Sequence, residues 1–247
     1  MPNWIQGKIT ETKQWCTDLH SIKITTEAMP FKAGQFAMVG LDIDDELIHR
    51  PYSLVNTPQE SALEIHFNRV AEGSLTPSLA QLQVGDSIHV GDRINGLLTL
   101  DQVPDVPHLW LMATGTGIGP FISILNTAEP WQRFEKIVLC YSVKTVEGLA
   151  YRAEFEALQK QYPEQFCFVP FVTREQSTDT IQSRITHYLE SGELEAHVGL
   201  TLSAESSHLM LCGNAKMLND VSEYLATRGF QRHSRREPGQ IAIEKYY

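Results

Sequence analysis

Hydrophobic and polar residues alternate with a period of two over the first hundred residues, in short stretches separated by turn-forming residues. This period is typical of β-strands that bury one face. Only the segment SLTPSLAQLQ (74–83) has a helical pattern instead. Many short strands at this spacing predict a closed antiparallel β-barrel. The seven predicted strands are GKITETKQW, LHSIKITTE, GQFAMVGLDI, LIHRPYSLV, LEIHFNRV, DSIHVGDRI and GLLTL.

The pattern changes after residue 107. The runs LWLMA, KIVLCYSV, FCFVPFVT and SHLMLCG are apolar almost throughout, as expected of parallel strands buried on both faces. Amphipathic stretches lie between or after them, at 119–128, 151–162 and 214–229. Alternating buried strands and helices predict a doubly wound α/β sheet. Since the proline-containing stretch 101–107 is the natural linker, we expect a barrel domain over 1–101 and an α/β domain over 102–247.

Composition narrows the class of protein. The formal net charge of −10 at pH 7 argues against nucleic acid or an anionic membrane as the main partner. The N-terminal sequence has no signal-peptide pattern and no apolar run is long enough to span a membrane, so we expect a cytoplasmic protein. Four scattered cysteines (Cys16, Cys140, Cys167 and Cys212) have no zinc or iron–sulfur spacing and are expected to be free thiols.

A glycine-rich turn links the first buried strand to a helix. In ATGTGIGP (113–120), Gly115, Gly117 and Gly119 allow the backbone to approach a phosphate, and Pro120 suits the first turn of the helix. The spacing differs from the G-x-G-x-x-G fingerprint, and such a turn is also compatible with a simple tight connection. The favoured interpretation is a phosphate-binding loop.

A second strand, SHLMLCG, also runs through a glycine into a helix. In an open parallel sheet ligands collect at the carboxyl ends of the strands, so both turns should lie at one edge and share a crevice. Lys144, Arg174 and Arg184 follow successive strand ends there and are suited to the 2′-phosphate of NADP. Taken singly, each could be a solvated surface charge.

The stretch HRPYSLVN (49–56) places a permanent cation, a flat aromatic ring and a hydroxyl side by side. One residue, Pro51, lies between Arg50 and Tyr52, and its ring restricts the backbone there. This arrangement suits a ligand with one charged end and one flat end. A half-buried barrel tyrosine is the simpler alternative for Tyr52 alone.

Together these motifs resemble the ferredoxin–NADP⁺ reductase family, and its bacterial flavodoxin/ferredoxin branch most closely. The matching segments follow the family's order along the whole chain: FKAGQF (31–36), RPYS (50–53) with Asn56 after it, ATGTGIGP (113–120), CGNAKM (212–217) and IEKYY (243–247). The resemblance implies a six-stranded antiparallel barrel that binds FAD and a five-stranded parallel α/β domain that binds NADP(H). It also implies electron transfer between NADPH and a one-electron carrier, ferredoxin or flavodoxin.

The resemblance further implies an FAD site on the barrel. Arg50 would pair with the FAD pyrophosphate, Tyr52 would pack against the isoalloxazine, and Ser53 would hydrogen-bond near flavin N5. The full set of FAD-binding residues is Arg50, Pro51, Tyr52, Ser53, His66, Phe67, Asn68, Arg69, Ser74, Leu75, Thr76, Thr116, Tyr246 and Tyr247.

For NADP the resemblance implies a group around the 2′-phosphate and a group at the second turn. Lys144 stands where arginine is expected in close relatives. The full set of NADP-binding residues is Gly115, Gly117, Lys144, Thr173, Arg174, Arg184, Asn214, Ala215, Lys216 and Asp220.

Four residues are implied in catalysis. Ser53 would hold the N5 hydrogen bond, Glu244 could relay a proton, and Cys212 would lie near the nicotinamide, although a packed free thiol explains it nearly as well. Tyr246 would cover the flavin face that nicotinamide must reach and so act as a gate, with Tyr247 against the adenine. Exposed tyrosines after a final strand are the alternative for this tail.

An acidic carrier would need a local basic patch on an acidic protein. The segment RGFQRHSRREPGQ offers one, although a solvated basic loop is its ordinary meaning. The candidate docking residues are Arg228, Arg232, His233, Arg235 and Arg236. An NAD(P)H–flavin reductase or another electron-transfer flavoprotein of this fold is the nearest alternative function, a non-catalytic nucleotide-binding module is a more distant one, and a monomer is the default.

Overall fold

The computed structural model describes residues 3–234 and 236–245. It divides the chain into two compact units. The first unit takes the chain up to Leu100 together with Gly119–Thr127, and the second takes Asp101–Ile118 together with the chain from Ala128 onward. The domain limits inferred from the linker, 1–101 and 102–247, stay a prediction.

The first unit contains one six-stranded antiparallel sheet with the strand order β4-β3-β6-β1-β2-β5. Its edge strands, β4 and β5, are joined just beyond the end of β4: Leu54 forms a bridge with Ile65, and the backbone N–H of Val55 donates to the carbonyl of Glu64 at 2.9 Å. This contact brings the two edges together, as the barrel prediction requires. The strands are β1 (Trp4–Cys16), β2 (Leu19–Thr25), β3 (Phe36–Ile43), β4 (Glu46–Ser53), β5 (Ala62–Asn68) and β6 (Ser87–Asn95).

Asn56 stabilises this contact between the edge strands β4 and β5. Its side-chain oxygen accepts from the N–H of Glu64 at 2.7 Å, and its amide nitrogen donates to the carbonyl of Thr57 at 3.1 Å. Ser123, on helix α2 (Gly119–Leu125), donates its hydroxyl to the carbonyl of Asn56 at 2.7 Å. Because Asn56 is only 3% exposed, these bonds satisfy polar groups that water cannot reach.

The predicted period-two pattern corresponds to the barrel core. Ile24, Val39, Ile65 and Val90 are fully buried and belong to one apolar cluster, while their neighbours along each strand alternate toward the other face. The pattern therefore placed the barrel strands correctly wherever burial was one-sided.

One sequence expectation in this unit was wrong, and another was confirmed only in part. GLLTL (96–100) is not a strand: Gly96 has φ of 116°, and Leu98, Thr99 and Leu100 are all buried in succession, which a half-buried strand does not allow. The helix predicted over 74–83 is only α1 (Thr76–Leu79). Beyond it the backbone continues as turns whose hydrogen bonds span three residues, such as Gln81 N–H to the carbonyl of Ser78.

The second unit contains a five-stranded sheet with the order β11-β10-β7-β8-β9, in which every neighbouring pair is parallel. The four predicted buried strands are confirmed, and the fifth strand comes from IAIEK in the C-terminal segment. The strands are β7 (His108–Thr114), β8 (Lys136–Val143), β9 (Phe166–Val172), β10 (Ser207–Gly213) and β11 (Ile241–Lys245). The helices of this unit are α3 (Glu129–Arg133), α4 (Arg152–Gln161), α5 (Ile185–Glu190), α6 (Glu193–Val198) and α7 (Ala215–Ala226).

The apolar runs correspond to strands buried on both faces. Trp110 and Leu211 lie in an apolar cluster with Val221 and Leu225 of α7, whereas Leu111 and Met210, on the other face of the sheet, are also fully buried. All strands point the same way, so their carboxyl ends meet along one edge. Among the described residues, no helix is both long and apolar enough to cross a membrane.

Candidate functional site

The glycine-rich loop and the end of β10 touch each other at the carboxyl edge of the parallel sheet. A Cβ placed on Gly117 would lie 2.5 Å from the carbonyl oxygen of Cys212, and one on Gly213 would lie 2.1 Å from the hydroxyl of Thr114. Thr114 instead accepts the N–H of Asn214 at 2.9 Å. The two turns come this close only because neither glycine carries a Cβ. They lie side by side at one edge of the sheet, and the ligand crevice that the sequence predicted there stays a prediction. Gly115 and Thr116 lie in the same loop, a 3₁₀ turn over Gly115–Ile118.

Asn214 starts the helix that follows β10. Its side-chain oxygen accepts from the N–H groups of Lys216 at 2.9 Å and Met217 at 3.2 Å, as an N-cap does. Ala215 is the first residue of α7, and the ammonium of Lys216 bonds both carboxylate oxygens of Asp220 at 3.0 and 2.8 Å. The four predicted nucleotide-contacting residues of this segment thus lie at a capped, charge-paired helix start beside the glycine loop.

Two predicted 2′-phosphate residues are brought together beyond β8 and β9. The N–H of Arg174 donates to the carbonyl of Lys144 at 2.9 Å, and the N–H of Thr173 donates to the carbonyl of Val143 at 3.1 Å. The side chains of Lys144 and Arg174 are exposed. Arg184 lies just before α5 and is also exposed. The backbone before Arg184 is bonded to β9, because Ile181 exchanges hydrogen bonds with Pro170 and Val172.

Cys212 and Glu244 are neighbours across the sheet at the same edge, since β10 and β11 pair them directly. Cys212 is 1% exposed, and burial raises the pKa of its thiol well above the usual range, with the charge of Glu244 acting in the same direction. The thiol therefore stays protonated and can serve as a packing or contact group rather than a nucleophile. Tyr246 and Tyr247, predicted to cover the flavin, lie outside the described residues.

On the barrel, Arg50 reaches the loop that precedes α1. Its guanidinium donates to the carbonyl of His49 at 2.6 Å and to the hydroxyl of Ser74 at 3.4 Å. In the same loop the hydroxyl of Thr76 accepts the N–H of Val70 at 2.9 Å. The predicted cation and the predicted Ser-Leu-Thr turn are thus in contact. Leu75 is 2% exposed and packs in the barrel core, so only its backbone faces this loop.

Tyr52 is half-buried beside the barrel core. Its ring meets that of Phe67 edge-on, with centroids 6.1 Å apart, and His20 stacks on Phe67 at 5.7 Å. Burial raises the pKa of the Tyr52 phenol, and the positive charge of Arg50 lowers it by less. The ring is therefore an uncharged flat surface supported from behind. Pro51 and Ser53 complete the strand end, paired with Met38 and Phe36 of β3.

His66 is placed differently from its neighbour Phe67. Successive side chains of a strand point to opposite faces, and His66 Nδ1 lies 3.0 Å from the hydroxyl of Ser21 while its ring meets Trp15 edge-on at 6.2 Å. His66 is 5% exposed, and burial lowers its pKa to about 3. Asn68 is exposed, and Arg69 pairs with Asp18 at 3.1 Å. The four residues 66–69 are thus not equivalent: the first two are buried and the last two face outward.

Sequence reasoning missed the partners that hold these residues. Ser21 and Trp15 fix His66, and nothing in their spacing along the chain indicates it. Glu175 accepts a hydrogen bond from the backbone N–H of Val146 and so links the loops after β8 and β9. A carboxylate directly after Arg174, beside a predicted phosphate site, is the one signal that could have drawn attention to it.

The basic segment before β11 divides into paired and exposed residues. The guanidinium of Arg228 donates to the carboxylate of Glu195 at 2.7 and 3.1 Å and to the carbonyl of Leu202 at 2.7 Å. Its positive charge is therefore paired within the unit. Arg232 and Arg236 are exposed, and Arg235 lies outside the described residues. Arg232 forms a bridge with Ile241, the first residue of β11. This part of the segment therefore lies at the amino edge of the sheet, although it is close in sequence to the tail.

Comparison with known proteins agrees with this arrangement. A family model described as an oxidoreductase FAD-binding domain matches residues 6–92, and one described as an oxidoreductase NAD-binding domain matches residues 111–223. A flavodoxin/ferredoxin–NADP reductase from Escherichia coli (strain K12) is 39% identical over 221 residues, which cover 90% of this chain and 89% of the relative. One from Buchnera aphidicola subsp. Baizongia pistaciae is 35% identical over 100% of both chains. The crystal structure of a ferredoxin NADP⁺ reductase from Neisseria gonorrhoeae with bound FAD and NADP superposes with a TM-score of 0.93, at 32% identity, over 99% of each chain.

The buried His66 makes the stability of the protein depend on pH. Its pKa of about 3 in the fold lies below that of an unfolded histidine, so between these values the unfolded chain binds more protons and stability falls as pH falls. From pH 7 to pH 5 this residue should remove about 2 kcal/mol from the free energy of unfolding. His66→Gln should abolish that part of the pH dependence, measured by urea unfolding followed by the fluorescence of the four tryptophans.

The matched control for that experiment is His187→Gln, at an exposed position on α5. It should leave the pH dependence as in the parent protein. If His66→Gln lost stability between pH 7 and pH 5 as steeply as the parent does, His66 would not be the group responsible.

Proposed function

Because this chain belongs to the flavodoxin/ferredoxin–NADP reductase family, we propose that it is an oxidoreductase that uses FAD to pass electrons between NADPH and a ferredoxin or flavodoxin. One observation supports this proposal above the others. At the carboxyl edge of the parallel sheet, a phosphate-type glycine loop packs against Cys212, while Lys144 and Arg174 are linked through their backbones. This edge combines a close backbone approach for a pyrophosphate with cations for a further phosphate.

The division of labour follows the two halves of the sequence. We propose that residues 1–101 bind FAD and residues 102–247 bind NADP(H). Bound FAD supplies the redox chemistry, since it accepts two electrons from NADPH and gives them up one at a time. The protein supplies position, electrostatics and exclusion of water.

On the barrel, we propose that Arg50 and Ser74 hold the pyrophosphate of FAD. Their contact at 3.4 Å supports this role, because a guanidinium already aimed at a hydroxyl-bearing loop needs little rearrangement to bind a phosphate between them. Tyr52 would present its neutral ring to the isoalloxazine, supported by Phe67, and Ser53 would donate near N5. The exposed side of the FAD site would be lined by Asn68, Arg69 and Thr76.

On the parallel sheet, we propose that Lys144, Arg174 and Arg184 bind the 2′-phosphate of NADP(H), with the hydroxyl of Thr173 beside them. Gly115 and Gly117 would accept the pyrophosphate against their backbone. Asn214, Ala215, Lys216 and Asp220 would contact the nicotinamide half of the nucleotide, which the capped start of α7 makes a rigid surface.

The residues at the reacting end would act by contact and proton exchange. Cys212, kept protonated by burial, would pack beside the nicotinamide ring, and Glu244 could exchange a proton with solvent at the same edge. Tyr246 would gate access of the nicotinamide and Tyr247 would pack on the adenine of FAD.

The proposed function is tested by following flavin absorbance without oxygen. FAD-loaded protein mixed with NADPH should lose its visible flavin band within seconds, and more slowly with NADH. Oxidised flavodoxin or ferredoxin should restore the band. A protein that takes up no FAD would contradict the proposal, and one that reduces free flavin but neither carrier would instead be a flavin reductase.

For the carrier, we propose that the exposed arginines before β11 contribute to docking. The supporting observation is that Arg232 and Arg236 are exposed on a protein with a net charge of −10, whereas Arg228 is occupied by Glu195. Local positive charge of this kind steers an acidic partner at low ionic strength.

The double variant Arg232→Glu with Arg236→Glu should slow carrier reduction about fivefold to tenfold at low salt, and less at high salt, because steering is electrostatic. NADPH oxidation by a small dye should not change. The control is Lys160→Glu, which reverses an exposed charge on α4. Equal loss of both activities, or an equal effect of the control, would place docking elsewhere.

A further inference from the structure

One carboxylate joins the two loops that carry Lys144 and Arg174. Glu175 Oε1 accepts a hydrogen bond from the backbone N–H of Val146, which begins the 3₁₀ turn Val146–Gly148. Thr145, at the start of this turn, is extended and makes no side-chain cap. Glu175 therefore caps the turn from a different loop, at a separation of 29 residues in sequence.

The contact continues a ladder of hydrogen bonds beyond the ends of β8 and β9. Thr173 donates from its N–H to the carbonyl of Val143 at 3.1 Å, and Arg174 does the same to Lys144 at 2.9 Å. The next hydrogen bond runs the other way: the N–H of Val146 donates, and the carboxylate of Glu175 accepts it. The last hydrogen bond between the two loops is thus accepted by a side chain, and it holds the loop immediately after Lys144 in place.

The far end of the same loop is fastened independently. Asp179 lies 3.8 Å from the guanidinium of Arg152 on α4, and the N–H of Ile181 donates to the carbonyl of Pro170 at 2.9 Å. The segment between Arg174 and Ile181 is therefore held at both ends, and Glu175 is its only side-chain link, among the described residues, to the loop of Lys144.

The negative charge of Glu175 allows two possible effects on phosphate binding to be distinguished. A carboxylate next to cations that bind a phosphate repels that phosphate, so Coulomb interaction alone predicts that its removal tightens binding. Positioning predicts the opposite sign, because without the acceptor the N–H of Val146 loses its partner and the two loops separate. The two effects can therefore be told apart by the direction of one change.

We propose that Glu175 is a positioning residue that sets the selectivity of the site for a 2′-phosphorylated adenosine, by holding the loops of Lys144 and Arg174 in register. The proposal rests on the proposed function, in that NADP(H) is taken as the nucleotide. Glu175 does not contact the phosphate; it acts through the backbone that bears the two cations.

The test measures binding of two probes by isothermal titration calorimetry, adenosine 2′,5′-bisphosphate and adenosine 5′-monophosphate, with FAD-loaded protein. Glu175→Ala should bind the bisphosphate about tenfold more weakly and the monophosphate with less than about a twofold change, since one lost charge-assisted hydrogen bond is worth about that much. Glu175→Gln keeps an oxygen acceptor and should stay within about twofold of the parent for both probes. The matched control, Glu147→Ala, removes an exposed carboxylate from the same turn and should bind the bisphosphate as tightly as the parent or more tightly.

Two results would overturn the proposal, and a third would overturn the proposed function on which it rests. Unchanged or tighter binding of the bisphosphate by Glu175→Ala would mean that Glu175 acts on the phosphate only through its negative charge and does not position the loops. Equal weakening for both probes would make it a support for the whole nucleotide site rather than for selectivity. A parent protein with no preference for the bisphosphate would instead refute the assignment of NADP(H) in the proposed function, which the variants alone would not do.

Discussion

The common direction of the five parallel strands is the constraint on which the nucleotide half of this protein depends. Parallel strands end along one edge, where the backbone groups of the last residues no longer find partners in the sheet. Loops that start at that edge must satisfy those groups themselves or offer them to a ligand. Here part of them is satisfied within the protein: the hydroxyl of Thr114 accepts the N–H of Asn214, and Gly117 and Gly213 let the glycine loop pack directly against the end of β10.

The same constraint explains the neighbouring cations. Lys144 follows β8 and Arg174 follows β9, and the two strands are adjacent, so the sheet brings the backbones of these residues together. Two like charges would otherwise separate. The backbone hydrogen bonds and the carboxylate of Glu175 hold the two loops together against that repulsion.

On the barrel, an aromatic ring and a cation lie close together on one strand, β4. Arg50 and Tyr52 are two residues apart in β4, so the pleat sends both side chains to the same face of the strand. The ring of Tyr52 packs against Phe67 of the apolar core, and the side chain of Arg50 extends from an exposed part of β4 toward Ser74. His66 and Phe67, by contrast, are adjacent in β5 and point to opposite faces, so this strand contributes a buried polar residue and an apolar support in succession.

The sequence predicted elements well where burial is uniform and poorly where long-range contacts decide. KIVLCYSV and SHLMLCG match β8 and β10 residue for residue, because a strand buried on both faces is apolar from end to end. GLLTL was misread, since three successive buried residues reflect contacts made by neighbouring segments rather than a pleat. The carboxyl edge and its cations followed from topology alone. The pairing of Arg228 with Glu195 and of Glu175 with Val146 joins residues 33 and 29 positions apart, and no local pattern encodes such contacts.

The placement of the nucleotide at the carboxyl edge can be tested by hydrogen–deuterium exchange with and without NADP⁺, on FAD-loaded protein. The account predicts slower exchange in the amides of 115–118, 144–146, 173–175 and 214–216, and unchanged exchange at the amino edge in 200–206 and 236–240. Protection confined to the amino-edge segments would contradict it, because the ligand would then sit at the end of the sheet opposite the glycine loop.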